Sequence, residues 1–232
     1  MTTTYIKRRG ELETYFDRTA AAAWARLTSD APVGKVRATV RAGRDEMRAT
    51  LLGFLPADLK GCRLLDAGCG TGALAVEAAR RGAEVVAIDL SPTLVALARE
   101  RMPGFMGSGS IRFESGDMLD PALGLFDHVI AMDSLIHYRL PDMVAMIEKL
   151  AVRSRAGVHF TYAPKTPALT LMWGVGKLFP RGDRSPAIEP VARGALLKSI
   201  ASKPALSGWR PGRDAQIANG FYISHAQELV AA

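Results

Sequence analysis

The spacing of apolar residues changes period several times along this chain, and each change marks an element. Residues 1–10 are polar and basic. Leu12, Tyr15, Phe16, Trp24 and Leu27 then recur at helical spacing, which predicts a helix over 11–27. Ala31-Pro32 interrupts it, and a second helix is expected over 35–55, stopped by Pro56. Beyond that point short apolar runs alternate with helical patterns. Strands are expected over 63–66, 85–89, 110–114, 126–132 and 157–162. Helices are expected over 73–81, from Ser91-Pro92 onward and over 141–150, with Ser91 as an N-cap. A helix over 192–202 and two strands, 206–219 and 221–225, complete the chain as an antiparallel hairpin. Strands alternating with helices imply an α/β fold on a mostly parallel, seven-stranded sheet.

One junction carries the chemistry. Leu64-Leu65-Asp66-Ala67-Gly68-Cys69-Gly70-Thr71-Gly72 is a strand end, a carboxylate and three glycines at alternate positions, and a helix follows. Glycines at such a turn let the backbone approach a ligand and set helix N–H groups at its edge. A dinucleotide fingerprint runs G-x-G-x-x-G; here the third glycine comes one residue early, and Asp66 would repel a pyrophosphate. A carboxylate suits a ligand that is cationic near the loop, as S-adenosylmethionine is through its ammonium and sulfonium. Asp89 closes the next strand about 20 residues on, where a ribose diol is usually held.

Asp66, the glycine turn and Asp89 together resemble the class I S-adenosylmethionine-dependent methyltransferases. The other reading is a structural glycine turn in a different doubly wound domain. The resemblance implies a Rossmann-like fold with S-adenosylmethionine as cosubstrate. It implies cofactor contacts from Asp66, Gly68, Cys69, Gly70, Asp89 and Leu90, with Asp117 on the adenine amino group and Met118 against the ring. Functional groups gather at the C-terminal ends of parallel strands. The segment 133–138 after the fourth strand is therefore expected to face the site, with Asp133 counted among the cofactor contacts. His128, inside that strand, reads as structural.

Bulk properties narrow the setting. A chain of 232 residues with 48% hydrophobic content supports a substantial core and excludes a disordered chain. Its two cysteines, Cys62 and Cys69, form neither a C-x-x-C pair nor a metal set, so reduced cytoplasmic thiols and no protein-bound metal are expected. No signal-peptide pattern opens the sequence, and the longest apolar stretch, 168–179, is too short to span a bilayer. The net charge is +7, yet 151–213 alone carries eleven Lys or Arg against two acids. That third can attract an anionic substrate or membrane, or be a solvated face; it lacks the aromatic-interleaved pattern of a nucleic-acid binder. Arg37, Arg41, Arg44 and Arg48 share one helical face. One of them is placed to reach the carboxylate of the cofactor's methionine tail, with the rest solvated.

Three stretches go further than the fold. They are Thr14-Tyr15-Phe16-Asp17-Arg18 with Trp24; Met132-Asp133-Ser134-Leu135-Ile136-His137-Tyr138; and Ala163-Pro164-Lys165-Thr166-Pro167 continuing to Gly176 through Pro186. Together they resemble the magnesium-protoporphyrin IX O-methyltransferases. The resemblance implies methyl transfer to a propionate of Mg-protoporphyrin IX, with His137 orienting the propionate and Tyr15 closing the site from an N-terminal lid. Residues 1–34 would be that lid and 35–232 the methyltransferase domain, with a substrate-side insertion at 164–190. Within it, 169–179 with Met172 and Trp173 would wall the macrocycle, and Lys165, Lys177, Arg181 and Arg184 would pair with the other propionate. The same stretch would also suit a membrane surface. Implied partners are the porphyrin-binding subunit of magnesium chelatase and the photosynthetic membrane. A quinone or small-carboxylate acceptor, a non-catalytic porphyrin carrier, and an RNA methyltransferase motivated by the basic third are the alternatives; the last lacks the proline-flanked aromatic tetrapeptide of many base-methylating enzymes.

Overall fold

The computed structural model describes residues 2–29, 31–165 and 187–232. Segment 166–186, with Met172, Trp173, Lys177, Arg181 and Arg184, lies outside the described residues.

Seven strands form one sheet in the order β3-β2-β1-β4-β5-β7-β6. They are β1 (Arg63–Ala67), β2 (Glu84–Asp89), β3 (Ser110–Ser115), β4 (Phe126–Ala131), β5 (Ser154–Tyr162), β6 (Trp209–Asn219) and β7 (Tyr222–Ala231). The first five are parallel, and β7 runs antiparallel between β5 and β6. The expected Rossmann-like sheet with an antiparallel C-terminal hairpin is what the chain adopts. The order reverses between β1 and β4, and a crevice opens there, outside the strand C-termini.

Both faces are covered. Helices α3 (Lys35–Gly53), α4 (Ala73–Arg80) and α5 (Pro92–Glu100) pack on one. Helices α1 (Thr3–Thr14), α6 (Leu140–Val152) and α7 (Arg193–Ala201) pack on the other. The strands are apolar on both faces for that reason: Leu64 points to one cluster and Leu65 to the other. On α6, Met143, Met146, Ile147 and Leu150 are wholly buried, each stabilising by roughly 1.5–3 kcal/mol.

The N-terminal segment departs from expectation. Its helix begins at Thr3, not near residue 11, because Thr2 caps it: the Tyr5 N–H donates to Thr2 Oγ1 at 3.1 Å. The polar turns are held by tertiary contacts that leave no apolar period. Thr2 and Thr4 donate to Asp142 at 2.5 and 2.8 Å, and Tyr5 stacks on Tyr138 at 5.4 Å. A π-helical turn, Tyr15–Thr19, then separates α1 from α2 (Ala21–Leu27). The C-terminal pair also differs. The first strand starts at Trp209, not at 206, because Leu206 closes a 3-10 turn from Pro204, and β7 runs on to Ala231 because its whole length is bracketed by β5 and β6.

Candidate active site

The crevice at the reversal point holds a cavity of about 290 Å³, at the small end of the roughly 300–1,000 Å³ of small-molecule sites. Its floor is the turn after β1. Gly68 sits at φ +92°, and a Cβ there would stand 2.4 Å from the Ser134 Cβ. Ser134 follows β4 and donates its hydroxyl to Ala67 O at 2.8 Å, so the two strand ends are tied across the crevice. Gly70, at φ +53°, leaves room for Trp24. Any side chain at either position would be strained and would fill the crevice.

Two carboxylates flank this turn. Asp66 is buried, and its Oδ2 has no hydrogen-bond partner among the described residues. Burial, reinforced by the nearby Asp89 charge, pushes its pKa up to about 7. Asp89 accepts from Gly70 N at 2.8 Å and from Ser91 N at 2.9 Å, and burial raises its pKa as well. Two buried acids in the lining, one with an unpartnered oxygen, suit a cationic or hydroxyl-bearing ligand. Burial likewise pushes the Cys69 thiol well above its usual range, which fits a small packing residue. Leu90, Met118 and Gly116 form the adjoining wall.

The opposite wall is polar. Asp133 lies just past β4 and accepts from Arg44 Nη1 at 2.5 Å. Arg41 and Arg48 also line the cavity and are engaged rather than solvated. Arg41 Nε donates to Leu27 O at 2.9 Å, and Arg48 Nε to Glu77 at 2.6 Å. Only Arg37 of the four is exposed.

The N-terminal helices close the top. Leu12, Phe16, Trp24 and Leu27 line the cavity. Phe16 lies 5.8 Å from both the Trp24 and His137 rings, and the Arg44 guanidinium lies 4.7 Å over Trp24. Asp17 fastens this cover to α5, accepting from Ser91 Oγ and Thr93 N at 3.1 Å each. His137, on the 3-10 turn Leu135–His137, is buried in the lining, with Nδ1 3.4 Å from Ala187 O. Most of the expected contacts therefore converge: Asp66, Gly68, Cys69, Gly70, Asp89, Leu90, Met118, Asp133 and His137 share the cavity.

Two do not. Tyr15 is outside the lining and packs edge-on against Phe16 at 5.2 Å. The π-helical turn that starts at Tyr15 adds a residue to the turn, and Ala20 N bonds Tyr15 O at 2.8 Å. The extra residue re-aims the side chains after the turn by about 100°, while Leu12 and Phe16, four residues apart, share the helical face that meets the cavity and Tyr15 falls beside it. Asp117 is also outside the lining, because its carboxylate is claimed by α1. Tyr5 OH donates to it at 2.7 Å and Arg9 at 2.9 Å, and the Leu119 N–H takes a further place at 2.9 Å.

Over 229 residues the chain is 50% identical to the magnesium-protoporphyrin O-methyltransferase of Rhodobacter capsulatus, covering 98% of this chain and 99% of that one. The chain belongs to the magnesium-protoporphyrin O-methyltransferase family. The model for the magnesium-protoporphyrin IX methyltransferase C-terminus matches residues 131–231, and a general methyltransferase domain model matches 64–157. The chloroplast magnesium protoporphyrin IX methyltransferase of Arabidopsis thaliana is 30% identical over 93% of this chain and 69% of its own. The crystal structure of magnesium protoporphyrin IX methyltransferase from Synechocystis PCC 6803 with bound SAH superposes with a TM-score of 0.82 at 28% identity, covering 97% of this chain and all of that one.

In this magnesium-protoporphyrin O-methyltransferase family member, Asp66 and Asp89 fall in the general domain. Asp133 and His137 fall in the family's C-terminal part. Phe16 and Trp24 lie before both matched regions. In the sequence they stand only as apolar positions at helical spacing and as members of the Thr14-to-Arg18 stretch with Trp24, which gives no sign of their place in the cavity. Among the described residues no cluster of three His, Cys, Asp or Glu is arranged to hold a metal, and no helix is long and apolar enough to cross a membrane.

Proposed function

We propose that this chain transfers the methyl group of S-adenosylmethionine to a propionate carboxylate of Mg-protoporphyrin IX, releasing the monomethyl ester and S-adenosylhomocysteine. The full-length relationship to the Rhodobacter capsulatus enzyme carries this reading. The geometry supports it: a buried carboxylate with one unpartnered oxygen, Asp66, fits a cationic cosubstrate, and Asp89 at the second strand end fits a ribose diol.

S-adenosylmethionine supplies an electrophilic methyl on a sulfonium centre. A propionate is already an anion at neutral pH, so the attack needs no base. What the chain must do is orient and exclude water. Asp66, Gly68, Gly70 and Asp89 hold one reactant against the turn, with Met118 and Leu90 as the wall for its base. Arg44, fixed by Asp133, offers its remaining donors to the carboxylate of the same ligand. Phe16 and Trp24 cover the site. His137 forms the acceptor side, and Tyr15 closes the site from outside the lining through Phe16, whose ring contacts both. Residues 1–34 act as the lid and the 164–190 insertion as the acceptor's wall.

The porphyrin-binding subunit of magnesium chelatase and the photosynthetic membrane belong to this proposal as contacts of an otherwise cytoplasmic protein. The excess of eleven Lys or Arg over two acids in 151–213 supports them. The test is S-adenosylhomocysteine release with three acceptors: Mg-protoporphyrin IX, its dimethyl ester and a quinol. Turnover with the first alone is expected. Equal turnover with the dimethyl ester, or turnover with the quinol only, overturns the reading.

A further inference from the structure

Asp133 is the one non-glycine residue among those described with a left-handed backbone, at φ +53°. Such a conformation persists where the surroundings over-determine it. Here they do. The Asp133 N–H donates to Thr161 Oγ1 at 2.7 Å, and the Thr161 hydroxyl donates back to Oδ1 at 3.2 Å. Tyr222 OH lies 3.0 and 3.1 Å from the two carboxylate oxygens, and Ser224 Oγ lies 3.4 Å from Oδ1. Arg44 takes Oδ2.

Tyr222 touches Asp133 directly and packs against Gly43, the residue before Arg44. Besides reaching Asp133, its ring packs on α3 beside Arg44: a Cβ on Gly43 would stand 2.6 Å from Tyr222 Cδ1. It opens β7, directly after the hairpin turn, and is buried. Burial and the Asp133 charge raise its pKa, so the hydroxyl stays a donor. Arg44 makes one ion pair, through Nη1, and rests on Trp24; its other nitrogens have no partner among the described residues.

We infer that Tyr222 is a positioning residue for Arg44, acting through Asp133, and that it thereby sets how tightly the site grips the carboxylate of its cosubstrate. A carboxylate that accepts from one guanidinium alone can swing with it. Three hydroxyl donors fix the plane of Asp133, and a fixed acceptor fixes the guanidinium edge left for a ligand. This inference rests on the proposed role of Arg44.

The experiment compares two ligands by calorimetry. S-adenosylhomocysteine carries the amino-acid tail; 5′-methylthioadenosine keeps the adenosine and thioether but lacks it. Tyr222→Phe is expected to bind S-adenosylhomocysteine about tenfold more weakly, because a looser Asp133 leaves the Arg44 guanidinium to be ordered on binding, with 5′-methylthioadenosine unchanged. Gly43→Ala, which pushes the Tyr222 ring aside without removing a donor, should show the same selective loss. Arg44→Met should show a selective loss at least as large. If Tyr222→Phe weakens both ligands equally, or neither, while Arg44→Met is selective, the positioning role is overturned and the Arg44 assignment stands. If Arg44→Met is itself unselective, the Arg44 assignment falls and takes this inference with it.

Discussion

Replacing Asp66 by Asn should make the ligand-free protein more stable at alkaline pH while weakening its hold on the cosubstrate. Asp66 is buried with an unpartnered Oδ2, and its pKa stands at about 7 instead of 3.8. A carboxyl raised on folding keeps its proton longer in the folded state, so its contribution is most favourable below the unfolded pKa. Stability is then lost as pH rises from about 4 through about 7. The shift corresponds to about 4 kcal/mol of charge burial above that window. Asparagine removes the charge but buries an amide of its own, which leaves a net gain of about 1–3 kcal/mol. For a chain of this length that is about 5 °C in Tm.

The assay is thermal unfolding of wild type and Asp66→Asn at about pH 5 and about pH 8.5, with and without S-adenosylmethionine. Taking the difference between the two proteins cancels every other titrating group. The variant should lead at the higher pH, and the lead should shrink at the lower. Saturating ligand should close it from the wild-type side, since only wild type offers the cation a carboxylate. A lead of the same size at both pH values, or a variant less stable at about pH 8.5, would refute the reasoning.

Three further outcomes follow from other parts of the molecule. His159 is buried beside His128, and burial holds its pKa down at about 3. It is neutral when folded and charges on unfolding, so stability falls as pH drops from about 6.5 toward 3, and His159→Gln should flatten that limb in a pH series of urea melts. Gly68→Ala places a methyl 2.4 Å from Ser134 Cβ at φ +92°, and should cut S-adenosylhomocysteine affinity at least tenfold in calorimetry, or about 1.4 kcal/mol. Asp17→Ala frees the Ser91 hydroxyl and the Thr93 N–H from the cover, costing about 1 kcal/mol in chemical denaturation and raising the KM for S-adenosylmethionine.

The parts of the site legible in the sequence are those made by neighbours in the chain. Asp66, the glycines and Asp89 are one strand-turn-helix unit and its successor, and local chemistry places them without knowledge of the rest. Arg44 illustrates the limit. Its helical face was visible, but which of four arginines meets the cavity depends on how α3 packs, and three of the four turned out to line it. Asp117 sits at the expected turn, yet its carboxylate is drawn off by Tyr5 and Arg9 from a helix whose polar turns gave no apolar period. Phe16 rather than Tyr15 meets the cavity because Phe16 follows Leu12, which also lines it, by four residues and so shares its helical face. The sheet is legible because parallel strands buried on both faces read as near-continuous apolar runs, here short and alternating with helical patterns. The insertion's core, 166–186, lies outside the described residues.

The central claim is the identity of the bond formed, and the mass spectrum of the porphyrin product tests it most directly. Mg-protoporphyrin IX incubated with trideuteromethyl S-adenosylmethionine should gain one labelled methyl, removable by ester hydrolysis, in step with S-adenosylhomocysteine release. A porphyrin that gains no label, or one whose label survives ester hydrolysis, would contradict the account.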